Sequence, residues 1–211
     1  MRTGEGKQRS DRDLPATTCR LLLVRHATAE GNGRFQGQRD VSLTGAGRRE
    51  LRLLCEKCSQ YPVRAVYSSD LRRARQAANA VAQIFGLEVD VRPDLREMQF
   101  GQWEGLSWNQ IVRRFPKLAA LWVERFPRQT IPGAEPLSRF KKRIAAGVSR
   151  IVAANRGQCA LIVTHAGVIR FTLGKVLGLP AQNLFRLAQD SCAVNVIDFL
   201  ETGAVVRCIN A

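Results

Sequence analysis

The chain has 211 residues, 45% of them hydrophobic and 24% charged, which suits one globular domain with a sizeable core. It contains no run of about 18 or more apolar residues, so a membrane-spanning helix is not expected. The net charge of +15 permits an anionic partner, but the basic residues are dispersed, and this favours a solvated Arg-rich surface over a nucleic-acid interface.

The N-terminal segment is polar and lacks the apolar core of a secretion signal. We therefore expect a flexible tail over residues 1–18, a folded domain over residues 19–211 and a cytoplasmic location. The first apolar run, CRLLLV at residues 19–24, is short and uninterrupted, which is typical of a strand that is buried on both faces. A glycine-rich loop follows at residues 31–37, and Thr44 is placed to cap a helix that ends near Ser59.

Strand and helix patterns alternate along the rest of the chain. The patterns predict strands at residues 64–69, 88–93, 160–164, 192–200 and 204–209, and helices at residues 71–86, 108–115, 118–126, 137–155 and 168–177. This alternation indicates βαβ units. The predicted fold is an α/β three-layer sandwich, in which helices cover both faces of a mainly parallel central sheet.

The six cysteines give no sign of a metal site. Cys19, Cys159, Cys192 and Cys208 lie in apolar, strand-like runs and are predicted to be buried free thiols. The pair in CEKC, residues 55–58, has no second CxxC partner, and both histidines are far away in the sequence. We therefore expect no bound metal.

Both histidines of the chain come directly after an apolar strand. His26 follows the first strand, and His165 follows the strand at residues 160–164. Ligands of open α/β sheets bind beyond the carboxyl ends of the strands, where Ser69 and Glu97 are also expected. Two histidines in equivalent positions indicate a functional site rather than two unrelated core residues.

The residue types at this edge of the sheet suit phosphate transfer. Two histidines cannot complete a catalytic zinc site, and the chain has neither a GxSxG elbow nor a GxxxxGK[ST] loop. Arg25 and either Arg73 or Arg72 can bind phosphate oxygens, with help from N–H groups at the helix start over residues 70–73.

Within such a site the catalytic roles separate. A neutral His26 can attack phosphorus, while Glu97 can protonate the leaving alkoxide and later activate water. A protonated His165 would stabilise the group in transfer. This scheme needs no metal or other cofactor, and it releases inorganic phosphate.

Five segments, in order, resemble motifs of the histidine phosphatase superfamily, which is also called phosphoglycerate mutase-like. They are LLLVRHATAEGN, YSSDLRRARQAA, LREMQFGQWEGL, PGAEPLSRF and LIVTHAGVIR, and the similarity runs from about residue 19 to residue 209. The resemblance implies the phosphoglycerate mutase-like fold. It is greatest for the branch that contains the alpha-ribazole phosphatases and the broad-specificity phosphatases.

The resemblance also implies individual roles. It makes His26 the phosphorylated residue and Glu97 the proton donor, and it selects Arg73 over Arg72. The implied phosphate pocket consists of Arg25, Arg73 and His165, and the implied substrate contacts are Asn32, Gln36 and Gly37. The chain departs from the family pattern at Ala27 and Ala29, and the second departure removes a hydroxyl that could contact phosphate. Trp103 and Trp108 either cover this pocket or pack in the core.

The implied activity is a metal-independent phosphomonoesterase that acts on a small phosphorylated metabolite, such as alpha-ribazole phosphate or a sugar phosphate. A cofactor-dependent mutase of the phosphoglycerate type is the first alternative, although the segment between Glu97 and His165 is shorter than the corresponding segment of the mutases. The second alternative, a non-catalytic nucleic-acid-binding module, has no need for both histidines and Glu97. The sequence indicates no particular oligomeric state.

Overall fold

The computed structural model describes residues 14–128 and 130–211. In this part of the chain six strands form one sheet in the order β3-β2-β4-β1-β5-β6. The strands are β1 (Cys19–Arg25), β2 (Val63–Ser68), β3 (Val89–Val91), β4 (Cys159–Thr164), β5 (Val194–Leu200) and β6 (Gly203–Cys208). The helices are α1 (Gly45–Ser59), α2 (Arg72–Phe85), α3 (Trp108–Arg114), α4 (Pro116–Arg125), α5 (Leu137–Ala154) and α6 (Ala166–Val176). Short 3-10 helices lie at Pro93–Leu95, Gly101–Trp103 and Ala181–Arg186.

The sheet is mainly parallel. Strands β1, β2, β3 and β4 pair in parallel, whereas β5 and β6 form an antiparallel pair that extends the sheet beside β1. Strand β1 lies between β4 and β5 and is buried along nearly its whole length, as its uninterrupted apolar run predicts. The predicted α/β architecture is confirmed.

Side chains that alternate along β1 pack on opposite faces of the sheet. Leu22 and Val24 join a cluster that includes buried residues of α1 and α2, whereas Leu21 and Leu23 join a cluster that includes buried residues of α5 and α6. The predicted three-layer arrangement is therefore confirmed, with one helix pair on each face.

A third apolar cluster lies apart from the two sheet faces. It is centred on Trp103, Ile111, Ala119 and Ile131, and it includes residues of α3 and α4. Trp103 is fully buried in this cluster, whereas Trp108 is partly exposed at its edge. Trp103 therefore packs in a core.

Several element boundaries differ from the sequence predictions for local reasons. Strand β3 stops at Val91: the Arg92 N–H makes the last ladder bond, to the Ser68 carbonyl at 2.7 Å, and the chain then turns into a 3-10 helix at Pro93. Cys192 precedes β5 and has a positive φ of 60°, so the predicted strand at residues 192–200 begins too early. Thr44 caps α1 as predicted, with its hydroxyl accepting from the Gly47 N–H at 2.9 Å.

The predicted flexible tail over residues 1–18 lies largely outside the described residues. Of its last five residues, Leu14 packs against the core and Thr18 is buried, and the Thr18 carbonyl accepts from the Gly157 N–H at 2.8 Å. Among the described residues, no helix has both the length and the apolar character that crossing a membrane requires.

Candidate active site

The strand register brings the two histidines together. Arg25 at the end of β1 is paired with Thr164 at the end of β4, so the residues that follow them, His26 and His165, emerge side by side. The His26 N–H donates to the Thr164 carbonyl at 3.0 Å, and the two imidazole rings lie 5.2 Å apart, centroid to centroid. The carboxyl ends of parallel strands thus collect these residues, as expected for this class of sheet.

Two hydrogen bonds of the His26 ring require the same tautomer. Its Nδ1 lies 2.7 Å from the Ala27 carbonyl oxygen, which can only accept, so Nδ1 carries the proton. Its Nε2 lies 3.2 Å from Nε of Arg73, which can only donate, so Nε2 carries the lone pair. His26 is thereby held as a neutral imidazole with a basic Nε2.

The surroundings of both histidines favour the uncharged ring. Burial, together with the Arg73 and Arg25 cations, lowers the pKa of His26 from 6.5 to about 3. Burial and Arg73 also lower the pKa of His165 well below its usual value. The sequence interpretation of a protonated His165 therefore requires an anion, such as a phosphoryl dianion, to offset the neighbouring cations.

Arg73 lies in the site, and Arg72 does not. The buried Arg73 guanidinium donates to the Gly37 carbonyl at 2.8 Å and to the Arg39 carbonyl at 2.7 Å, which leaves two of its N–H groups for an anion. Arg72 points away toward Asp40, and its backbone N–H donates to that carboxylate at 2.6 Å. The proposed phosphate contact with the helix start at residues 70–73 is therefore wrong for the Arg72 N–H, which Asp40 occupies.

Arg25 is anchored by backbone. Its Nη1 donates to the Gln189 carbonyl, while its Nε is buried without a partner in the described part of the chain. Burial lowers the pKa of Arg25, and the nearby Glu97 carboxylate acts against that effect. A buried guanidinium donor that lacks an acceptor suits an oxyanion.

Glu97 is held by two backbone donors. Its Oε1 accepts from the Met98 N–H and its Oε2 from the Gly167 N–H, both at 2.9 Å. Each oxygen keeps a further lone pair that can carry a proton. Gly167 leaves room for this carboxylate, because a Cβ at that position would lie 2.2 Å from Oε1. Glu97 is thus fixed beside the N-terminus of α6.

His165 is fully buried and does not line the cavity. Its Nε2 lies 2.9 Å from the Ser69 hydroxyl oxygen, and its Nδ1 has no partner in the described part of the chain. Ser69 follows β2, where the Ser69 N–H donates to the Val163 carbonyl at 3.1 Å. The side chain of His165 therefore contacts the site through the edge of the His26 ring.

A cavity of about 380 Å³ opens over these residues, a size that suits a small ligand. We use the name site floor for the four polar residues at its base, which are Arg25, His26, Arg73 and Glu97. The three predicted substrate contacts, Asn32, Gln36 and Gly37, also line it.

The three loop residues differ in what they can offer a ligand. Asn32 is exposed, whereas the Gln36 amide donates to two carbonyls of its own loop, those of Glu30 and Gly31. Gly37 acts through its carbonyl, which orients Arg73, and a Cβ there would lie 2.0 Å from Oε1 of Glu104. Its positive φ of 52° also favours glycine.

Sequence reasoning missed the other half of the cavity. Of the aromatic side chains that line it, five are connected by ring contacts, and we refer to them as the aromatic wall: Phe35, Phe100, Trp122, Phe126 and Phe185. Trp103 and Trp108 do not line the cavity, so neither covers the pocket.

The sequence analysis also missed Arg170. Its guanidinium lies 5.6 Å from the centre of the Phe185 ring, and its Nε donates to the Leu187 carbonyl at 2.9 Å. Helical spacing could have found it, because Ala166, Gly167, Arg170 and Phe171 share one face of α6, and all four line the cavity.

The described residues contain no group of three or more His, Cys, Asp or Glu side chains that could hold a metal ion. All six cysteines are free, and burial raises the pKa of the Cys19, Cys58, Cys159 and Cys192 thiols. Cys208 is only partly buried, in contrast to the prediction for its strand, because it lies on edge strand β6.

Comparison with known proteins places this geometry in context. The sequence model of the histidine phosphatase superfamily (branch 1) matches residues 21–211. The chain is 28% identical to the adenosylcobalamin/alpha-ribazole phosphatase of Salmonella typhimurium, over 91% of this chain and 96% of that protein. It is 29% identical to a Photorhabdus laumondii protein named as a probable phosphoglycerate mutase, over 85% and 84% of the two chains.

Solved structures show the same fold. Mycobacterial glucosyl-3-phosphoglycerate phosphatase superposes with a TM-score of 0.81 at 26% identity, over 92% of this chain and 99% of the other. The names of these relatives cover different activities and different phosphate esters. The ester that this chain accepts must therefore be inferred from its own cavity.

Proposed function

This chain belongs to the histidine phosphatase superfamily (branch 1), and we propose that it hydrolyses small phosphomonoesters through a phosphohistidine on His26. The observation that carries this proposal is the hydrogen bonding of the His26 ring. The Ala27 carbonyl fixes the proton on Nδ1, and Arg73 donates toward Nε2, so the lone pair of a neutral imidazole lies beside a phosphate-binding cation. The catalytic domain in this proposal spans residues 19–211.

In the first step, the Arg73 Nε–H passes from His26 to the bound phosphoryl group, which frees the Nε2 lone pair. Nε2 then attacks phosphorus while the bond from phosphorus to the ester oxygen breaks. The Glu97 carboxyl gives its proton to the departing alkoxide, so a neutral alcohol leaves. In the second step, Glu97 takes a proton from water, and the resulting hydroxide attacks the phosphohistidine. Inorganic phosphate leaves and Nε2 regains its lone pair. Neither step routes an atom through a metal ion.

The cations of the site stabilise the phosphoryl group during both steps. Among the described residues, two N–H groups of Arg73 and the buried Nε–H of Arg25 have no acceptor. Forked guanidinium donors match phosphate oxygens, and in a buried site they need little reorganisation. As the dianion offsets these cations, it also favours protonation of His165, which could then donate a hydrogen bond.

The decisive experiment compares the wild-type protein with His26→Ala, in the presence of a chelator. We expect the variant to lose roughly 10⁴-fold or more of its turnover of p-nitrophenyl phosphate, and to lose the acid-labile phosphoenzyme. Arg64→Ala, which removes an exposed cation outside the cavity, is the control and should retain both. Retained hydrolysis in His26→Ala would contradict the covalent role.

The same assay distinguishes the alternatives. A mutase of the phosphoglycerate type would convert one phosphoglycerate isomer into the other and would need a bisphosphate, with little release of free phosphate. A nucleic-acid-binding module would show salt-dependent binding of RNA or DNA that is unaffected by His26→Ala, and it would hydrolyse no ester. A wild-type protein that needs an added divalent cation would contradict the metal-independent scheme.

A further inference from the structure

We propose that the aromatic wall binds the leaving group, so that the preferred substrates are phosphomonoesters whose alcohol carries an aromatic ring. This inference rests on the proposed function, because it takes the site floor as the place where the phosphoryl group binds. The position of the wall supports it, since the wall and the floor line one cavity. An ester bound with its phosphoryl group on the floor extends its alcohol toward the wall.

The cavity is unusually rich in aromatic side chains for a chain with only 7% aromatic residues. Six of its nine phenylalanines line it, namely Phe35, Phe100, Phe126, Phe140, Phe171 and Phe185, together with Trp122. Four of these phenylalanines belong to the wall, whereas Phe140 and Phe171 belong to the sheet-face cluster beneath α5 and α6. Phe35, Phe100 and Trp122 also pack against the third apolar cluster, so core packing accounts for part of this concentration, whereas Phe126 and Phe185 belong to none of the three clusters.

The wall is assembled from elements that are far apart in sequence. Phe35 comes from the loop after β1, Trp122 from α4, and Phe185 from the 3-10 helix Ala181–Arg186. The Trp122 ring lies 5.4 Å from that of Phe185 and 6.3 Å from that of Phe35, and both contacts are edge-to-face. Rings in this arrangement can offer faces and edges to a further ring at the same spacing.

The wall leaves apolar surface uncovered. Phe185 is 53% exposed, and Trp122 and Phe126 are only partly buried. Large aromatic side chains in contact with water lose the stabilisation that burial would give them, so a ligand that covers them gains binding free energy. An aromatic ring fits this surface better than the ammonium or hydroxyl groups of a small polar alcohol.

Two arginines, Arg34 and Arg170, also line the cavity. Nη1 of Arg34 donates to the Gly105 carbonyl and to the Gln110 side chain. Arg170 holds the Leu187 carbonyl through Nε and lies over the Phe185 ring, where a cation adds attraction for a second aromatic ring. Because these bonds use only some of the guanidinium N–H groups, a carboxylate is the competing ligand, and the test below includes a carboxylate-bearing ester.

The test compares 2-phenylethyl phosphate with ethyl phosphate. Both release a primary alkoxide, so the chemical demand on Glu97 is nearly the same, and the two esters differ in the ring. Burial of one aromatic side chain contributes a factor of about 10 to 100, so we expect kcat/KM to be higher for 2-phenylethyl phosphate by that factor. Ratios within about threefold of unity, or a higher kcat/KM for phosphoserine, would overturn the proposal.

Two variants then locate the ring. Phe185→Ser should lower the ratio of the two kcat/KM values by about fivefold or more, since it removes one exposed face of the wall. Leu53→Ser is the matched control, because Leu53 is also 53% exposed but lies on α1, outside the cavity. This control should leave the ratio unchanged. An equal ratio in wild type and Phe185→Ser would remove the wall from the specificity of the enzyme.

A binding measurement keeps this proposal separable from the proposed function. Calorimetry on the His26→Ala variant, which cannot form the phosphohistidine, should still show tighter binding of 2-phenylethyl phosphate than of ethyl phosphate by a factor of about 10. If the wild-type protein hydrolyses no ester but the His26→Ala variant shows this binding preference, the proposed function fails and the inference about the wall stands. If the wild-type protein hydrolyses both esters and neither kcat/KM nor binding favours 2-phenylethyl phosphate, the inference about the wall fails and the proposed function stands.

Discussion

The site floor and the aromatic wall face one cavity but are held in different ways. Floor residues are fixed by backbone groups at the ends of parallel strands: the Ala27 carbonyl holds the His26 ring, and the Gly167 N–H holds the Glu97 carboxylate. Wall residues are held by ring contacts between separate elements, and Phe35, Phe100 and Trp122 also pack against the third apolar cluster, which lies apart from the sheet. The difference teaches that the chemistry of this protein is tied to its sheet, whereas its choice of ester depends on side chains that can change without disturbing the sheet.

Among the tests of this comparison, the largest expected effect comes from the cation of the floor. Arg73→Lys keeps a positive charge but cannot donate at once to the Gly37 and Arg39 carbonyls and to a phosphate in the forked geometry of a guanidinium, so kcat/KM should fall by roughly 10³-fold. The neighbouring Arg72→Lys is the control and should lose less than about twofold, because Arg72 lies outside the cavity. If steady-state kinetics show a similar loss of kcat/KM in both variants, Arg73 has no special role in binding the phosphoryl group.

The second test concerns the acid of the floor. Glu97→Gln should lower kcat/KM, which reports the steps up to release of the alcohol, about 10²-fold or more for ethyl phosphate, whose alkoxide needs a proton, and much less for p-nitrophenyl phosphate, whose phenolate does not. The Gln amide also presents N–H groups to one of the two backbone donors, so thermal melts must show that the variant is folded. Equal slowing for the two esters would contradict the acid role and leave Glu97 as a structural residue.

The third test measures how the free energy of unfolding depends on pH, because the lowered pKa of the buried His26 contributes to that dependence. The pKa of folded His26 is about 3 and its usual value is 6.5, so below pH 6.5 the unfolded chain binds a proton that the folded chain does not. Stability is therefore lost as pH falls from 6.5 toward 3. Between pH 6.5 and 5 wild type should lose about 1–2 kcal/mol more than His26→Asn, as measured by urea unfolding at each pH. Parallel losses in the two proteins would show that His26 titrates normally.

The smallest expected effect comes from adding one methyl group. Gly167→Ala places a Cβ 2.2 Å from Oε1 of Glu97, so the carboxylate must move, and kcat should fall about tenfold. Gly45→Ala, also at the start of a helix, meets only the end of the Arg49 side chain at 3.8 Å and should have normal activity. Normal activity in Gly167→Ala would show that the position of the Glu97 carboxylate can change without loss of activity. The floor would then accept substitutions as readily as the wall does, and the difference between the two regions would not hold.

Much of the fold followed from the sequence alone. The uninterrupted apolar runs of β1 and β4 identified strands that are buried on both faces, and Thr44 and Gly86 marked helix ends that the structure confirms. Periodicity was less informative at the ends of elements. Cys192 continues the apolar run of β5, but its positive φ excludes it from the strand, and the apolar pattern does not reveal this conformation.

The sequence by itself determined that His26, His165 and Glu97 come after strands, because strand patterns and their carboxyl ends can be located along a single chain. The residue pattern left Arg72 and Arg73 open, the family resemblance implied Arg73, and the structure places Arg73 in the cavity. Only the tertiary structure decided that His165 is buried away from the cavity surface and that distant aromatic residues form one wall. Two neighbouring residues at the start of a helix point in different directions, and which one faces a site depends on how the helix packs against the sheet. Likewise, Phe35, Trp122 and Phe185 become neighbours only when their elements pack, because contacts between distant segments leave no periodic signal in the sequence.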